Sequence, residues 1–162
     1  MFTQSQLERY ADVLLWGMQT SRSRKYKKND IVLVRFNTPA TALAEVLNAR
    51  LLERGLNPVL RMDPTPVMEV DFYTLAAGRQ LDFIPPGEDV LCRHLNGSIF
   101  LHAPEAVTHL SGVDPKKIGS PLISSLSRPA SATAFSTVAY STPWKSILDS
   151  AESPPFLPES LK

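Results

Sequence analysis

The sequence predicts an α/β fold: a small, mostly parallel sheet with flanking helices, followed by an irregular Ser/Pro-rich tail. Three observations carry that expectation. Residues 31–36 (IVLVRF) form an apolar, β-branched run with one charge, as a strand covered on both faces reads. Across residues 40–54, Leu43, Val46, Leu47, Leu51 and Leu52 recur at three- and four-residue spacing. Glu45, Asn48, Arg50, Glu53 and Arg54 fill most remaining positions, so one face of the helix is wet. Residues 57–61 then read as a second short strand. Together these make a β-α-β unit, whose strands are expected to be parallel with a right-handed crossover.

The flanking elements follow the same logic. Residues 4–19 carry an apolar stripe of Leu7, Ala11, Leu14, Leu15 and Met18, with Tyr10 and Trp16 at its edges. Ser5 is the expected cap of this helix, with Glu8 as capping-box partner. A strongly basic stretch, residues 21–28, leads into the first strand. After that strand, Thr38 suits an N-cap and Pro39 the first helical position, while Gly55 suits the residue just past the helix end. Asp63-Pro64-Thr65-Pro66 reads as a loop, because each proline restricts the residue before it. Residues 68–77 place Met68, Phe72, Leu75 and Ala76 at helical spacing, and Pro85-Pro86-Gly87 breaks the chain again. A helix over 88–95, a stop at Asn96-Gly97, a strand over 98–103 and a helical piece over 105–110 complete the alternation.

Length and composition bound the rest. A chain of 162 residues makes one domain, or one domain with an appendage. A net charge of +1 argues against a protein built mainly to neutralise phosphates. Cys92 is the only cysteine, which excludes an intrachain disulfide and fits a reducing compartment. Glu8, Arg9 and Asp12 interrupt the apolar amino terminus, unlike a signal peptide, and no run approaches a membrane span. The expectation is a soluble, cytoplasmic protein. At Gly119 the character changes: no glycine follows it, whereas six prolines do. Only residues 135–140 and 144–148 carry enough clustered apolar side chains to order locally, so residues 119–162 are expected to be a loosely ordered tail.

Candidate chemistry is sparse. His94, His102 and His109 show no metal-ligand spacing with one another or with Cys92, and read as surface or edge-of-core histidines. His102 stands out among them because it lies near a strand end, where ligand sites of α/β sheets gather. The loop Asn37-Thr38-Pro39-Ala40 opens a helix but has no glycine and no phosphate-binding motif, which favours a simple cap over an anion site. The basic run holds Arg22, Arg24, Lys25, Lys27 and Lys28 with Tyr26 interleaved, a combination that fits nucleic acid or an acidic partner. A near-neutral chain without a recognition module favours a solvated connector instead. No serine lies in a nucleophile elbow, and Cys92 has no activating partner in the sequence. Asp12, Glu45, Glu69, Asp71 and Glu88 read as surface carboxylates. No residue is assigned as catalytic or metal-binding, and substrate-binding residues are left unassigned.

The order of segments carries a further signal. LERYADVLL, then KKNDIVLVRFNTPATALAEVLNARLLERGLNPVLRM, then IFLHAPEAVTHLSGVDPKKI resembles the amino-terminal part of the thermophilic metalloaminopeptidases of the aminopeptidase T and S type. Asn29 stands where that family often has glycine in its strand entry. The resemblance implies an exopeptidase that removes amino-terminal residues with a two-metal centre, usually zinc or cobalt, in a homodimer enclosing a cavity. Its glutamate, histidine and aspartate ligands belong to a carboxy-terminal domain and match no residue here. The likeness covers about residues 7–118 and fades at Gly119, dividing the chain into an amino-terminal α/β domain, 1–118, and a divergent tail, 119–162. Such a tail is what a shifted reading frame leaves, or a divergent terminus. The resemblance thus implies a truncated family member without its catalytic domain, inactive alone, taking peptide substrates only if that domain is supplied. The alternative is a non-catalytic α/β binding or dimerisation module. Neither reading involves nucleic acid or a membrane.

Overall fold

The computed structural model describes residues 2–118 and the backbone of residues 136–140. Strand β1 (Ile31–Phe36) lies inside a four-stranded sheet of order β2-β1-β3-β4, between β2 (Asn57–Met62) and β3 (Leu95–His102). Its pairings to β2 and β3 are both parallel: Leu33 stands opposite Val59 on one side and Ser98 on the other. The β-α-β unit is therefore formed as expected, and the third strand belongs to the same sheet. β4 (Ser136–Tyr140) adds parallel to β3, inside the 135–140 stretch that the sequence marks as able to order. The remaining expectations for residues 119–162 lie outside the described residues.

Alternation along β1 sends Val32, Val34 and Phe36 to one face, where they meet Ile99 and Leu101 of β3. Helices α1 (Gln4–Thr20) and α2 (Thr41–Glu53) cover that face with Ala11, Leu14, Leu15 and Met18 from the first and Leu43, Ala44, Leu47 and Leu51 from the second. The buried stripe of α2 differs from the expected one. Ala44 joins it, whereas Leu52 is 55% exposed and Val46 only partly covered. Leu52 is one residue, about 100°, past Leu51, which turns it off the line of Ala44, Leu47 and Leu51.

The start of α1 is capped by Thr3, not Ser5, but by the anticipated chemistry. Thr3 Oγ1 accepts from the Gln6 N–H at 3.3 Å, while Gln6 Oε1 accepts from the Thr3 N–H at 2.9 Å. Thr38 does not cap α2. A 3-10 turn over Thr38–Ala40 precedes that helix, and the Thr41 hydroxyl donates to the Thr38 carbonyl at 2.6 Å. Gly55, at φ +73°, ends the helix as the sequence suggests.

Two further boundaries shift. Asn96 and Gly97 do not stop the chain between helix and strand; α4 (Glu88–His94) runs directly into β3. Asn96 Oδ1 accepts from the Ile31 N–H at 2.7 Å, which ties the first residues of β1 and β3 together. The predicted helix over 105–110 is a series of turns instead. The His109 ring, through Nδ1, takes the Ala106 carbonyl at 3.1 Å, an acceptor that a helix would have offered to the Leu110 N–H.

The basic stretch before β1 keeps Arg24, Lys25, Lys27 and Lys28 exposed, as a solvated connector would, but is pinned to the sheet by Arg22 and Tyr26. An Arg22 guanidinium nitrogen donates to the Asn96 carbonyl at 3.0 Å, and its carbon stands 4.4 Å from the centre of the Tyr26 ring. Tyr26 lies so close to Gly97 that a Cβ there would sit 3.0 Å from its ring carbon Cζ. Burial pushes the Tyr26 phenol above its ordinary range.

Candidate functional site

Three parallel strands end on the same side of the sheet, which is where open α/β sheets place ligand sites. The chain leaving β1 supplies Asn37 and Thr38, and that leaving β2 supplies Pro64, Thr65 and the first turn of α3 (Pro66–Leu75). The chain leaving β3 supplies Pro104, Glu105, Ala106 and His109. Between them lies a small cleft of about 270 Å³, counting the space open to solvent.

The local sequence accounts for each wall. Asn37 stands at the N-cap position of the 3-10 turn, but its side chain makes no capping bond. Its Oδ1 accepts from the Ala103 N–H at 3.0 Å and so joins the ends of β1 and β3. Thr65 caps α3, accepting from the Met68 N–H at 3.4 Å, and Pro66 follows where its missing N–H costs nothing. Glu69 falls in the first turn of α3, where a carboxylate meets the positive end of the helix. His109 reaches it from the turns after β3, with Nε2 2.6 Å from Glu69 Oε2. Both neighbours of the His109 ring are acceptors, so both contacts are hydrogen bonds when the ring carries two protons.

The cleft offers polar contacts but no activated nucleophile. Among the described residues no cysteine, serine or lysine lines it, and Glu69 and His109 are spent on each other. The three histidines are not brought together. His94 turns to the Val90 carbonyl at 2.8 Å, and His102 stands beside Phe100 with ring centres 5.4 Å apart. His102, the histidine that position singles out, does not line the cleft; His109 does. Glu69 and His109 are 40 residues apart, and no spacing rule links such a pair.

The second face of the sheet carries two ion pairs among the described residues. Arg35 stands in register with Arg61 and Phe100. Two adjacent cations would repel, and each has its own carboxylate. Arg35 meets Asp63 at 3.0 Å, and Arg61 meets Glu88 at 2.6 Å. Hydrogen bonding to Arg61 holds the Glu88 carboxyl below the usual carboxylate range despite its burial. Cys92 Sγ approaches the same carboxylate at 4.0 Å. Asp63 and Glu88 are both buried, so Glu88 is not the surface group that the sequence suggests.

The family model for thermophilic metalloprotease (M29) matches residues 3–147. The chain belongs to that family. Its match runs past Gly119, so the change of composition there is not the edge of the likeness, and the family pattern extends well beyond residues 7–118. Among solved structures, wild-type AmpT from Thermus thermophilus is similar, with a TM-score of 0.60 and 15% identity, over 85% of this chain and 36% of that one. At that identity the likeness is one of fold. The chain spans about a third of the Thermus chain, 36% of its length. A comparison with curated proteins finds no match.

Membership of an M29 family implies metal dependence. Among the described residues no group of three or more His, Cys, Asp or Glu side chains is placed to hold an ion. No helix among them is long and apolar enough to cross a membrane.

Proposed function

We propose that this chain is the amino-terminal α/β domain of an M29 aminopeptidase, and that the polypeptide which relatives carry beyond it removes amino-terminal residues. The observation that carries this reading is the pairing of a family match over residues 3–147 with a superposition on only 36% of the Thermus chain. The outer face of α3 supports it. Met68, Phe72 and Leu75 are exposed on one side of this helix, while Tyr73 is buried on another. A helix apolar on opposite sides is the kind that a larger molecule covers. On this reading the domain extends past residue 118 to include β4, zinc or cobalt and peptide substrates belong to the polypeptide that relatives carry beyond it, and the assembly is a homodimer. A single cysteine fits a cytoplasmic protein.

The test is direct. The purified chain, supplied with excess zinc or cobalt, is expected to leave aminoacyl p-nitroanilides unhydrolysed. A two-metal site needs several convergent carboxylates and imidazoles. Metal-dependent release of amino-terminal residues, abolished by a chelator, would show that this chain holds the catalytic centre itself.

A further inference from the structure

The family reading leaves one feature unused: the basic loop between α1 and β1. We propose that residues 24–28 are a docking surface for an acidic polypeptide segment. Arg24, Lys25, Lys27 and Lys28 are all exposed. None of the four side chains makes an ion pair or hydrogen bond among the described residues. Several cations elsewhere are engaged, Arg35 with Asp63, Arg61 with Glu88, Arg50 with Glu53 and Lys117 with the Tyr73 carbonyl, and the exposed Arg9, Arg79 and Lys116 are scattered, whereas these four lie within five residues. The fifth cation of the run, Arg22, serves as an anchor.

The loop presents these charges from a fixed frame. Arg22 and Tyr26 hold one end on Asn96 and Gly97. At the other end the Asp30 N–H donates to the Lys27 carbonyl at 3.1 Å, and the Asn29 N–H to the Gly55 carbonyl at 2.8 Å. The adjacent carboxylate, Asp30, accepts from the Lys27 N–H at 2.9 Å. The Lys28 stem lies along Gly55, so its ammonium is carried outward on a packed base. A partner binding here orders side-chain tips only, which lowers the entropic cost of association.

The surroundings select the partner class. The loop's one aromatic, Tyr26, is already packed on Gly97 and stacked with Arg22, so no platform remains for bases. No large apolar residue within residues 21–30 is exposed, so the loop itself carries no side chain to insert into a bilayer. What the loop offers is four point charges at short spacing, which suits the carboxylates of an acidic segment.

A fluorescein-labelled oligoglutamate peptide, followed by anisotropy with the whole chain, tests this. Binding is expected at low salt and should weaken at physiological salt. The Lys25→Gln/Lys27→Gln/Lys28→Gln variant should bind about tenfold more weakly. An Arg9→Gln/Arg79→Gln/Lys116→Gln control, with the same change in charge at scattered exposed positions, should bind like the wild type. Unchanged urea midpoints for both variants would show that each is folded, and Lys27→Gln alone, with a smaller loss, serves if the triple variant is not. Three outcomes overturn the proposal: no binding at low salt, an equal loss in both triple variants, or tighter binding of a phosphate polyanion. Either an oligonucleotide of matched charge or anionic vesicles would count as that polyanion.

Discussion

Arg61 and Glu88 meet through two parallel hydrogen bonds of 2.6 and 2.9 Å, joining an edge strand to the first turn of α4. Such bidentate, charge-assisted contacts are among the stronger polar interactions in proteins. Glu88→Gln is expected to cost about 1–2 kcal/mol at neutral pH, since Arg61 still reaches solvent. The folded-state carboxyl lies below its ordinary value, so the stability it lends is fully present above that ordinary value. It is lost as pH falls through the lower, folded-state value. Urea melts at neutral and acid pH should therefore show the gap between wild type and Glu88→Gln closing only on the acid side. A gap that is constant down to full protonation would rule out ionisation as its source.

Leu47 is fully buried between the sheet and α1, in the centre of the main apolar cluster. Leu47→Ala should cost about 2–5 kcal/mol, the span depending on how far the site collapses around the cavity. Leu52→Ala on the same helix should cost little, because that side chain is 55% exposed. Equal shifts of the denaturant midpoint in the two variants would place the core of α2 elsewhere.

Why some of this was legible in the sequence and some not follows from range. The strands and helices announce themselves by spacing within a few residues: β1, β2, α1 and α2 form where periodicity places them, and α3 and β3 begin two and three residues earlier than expected. Capping chemistry was right in kind but displaced, because Thr3 and Ser5 are chemically equivalent candidates two residues apart. Asn96-Gly97 looks like a turn locally. It becomes strand because Asn96 binds Ile31, 65 residues away, and Gly97 makes room for Tyr26. The cleft depends on Glu69 meeting His109, and the docked basic loop on Arg22 reaching Asn96, 74 residues on. Such pairings leave no periodic trace in one sequence.

Asn29 has φ +70°, in the left-handed region. Glycine adopts that conformation most easily, and asparagine is among the few other residues that tolerate it. Its N–H and C=O are both engaged, with the Gly55 carbonyl at 2.8 Å and the Asn57 side-chain amide at 2.9 Å. The backbone is thus held in place whatever the side chain. Asn29→Ala should cost about 1–2 kcal/mol, whereas Asn29→Gly should be close to neutral, its easier φ offsetting the greater freedom of the unfolded chain. Urea midpoints distinguish the two. An equal loss in both variants would mean that the asparagine side chain, not the backbone angle, sets the residue.

Gly97 is needed for a different reason: close approach, not backbone freedom. A Cβ at this position would lie 3.0 and 3.1 Å from the Tyr26 ring carbons Cζ and Cε1, with the phenol oxygen nearer still. Tyr26 is held from its other side by the Arg22 guanidinium, so it cannot yield without releasing that contact. Gly97→Ala should therefore cost about 1–3 kcal/mol as overpacking, and the strain should appear in the loop before β1, not in the sheet. Hydrogen exchange is expected to rise across residues 21–30 while β1 and β3 keep their protection. The pairwise origin is testable by a cycle: in a Tyr26→Ala background the obstructing ring is gone, and Gly97→Ala should then cost much less than in the wild type. Equal costs in both backgrounds would locate the penalty in the β3 backbone and remove Tyr26 as the reason for the glycine.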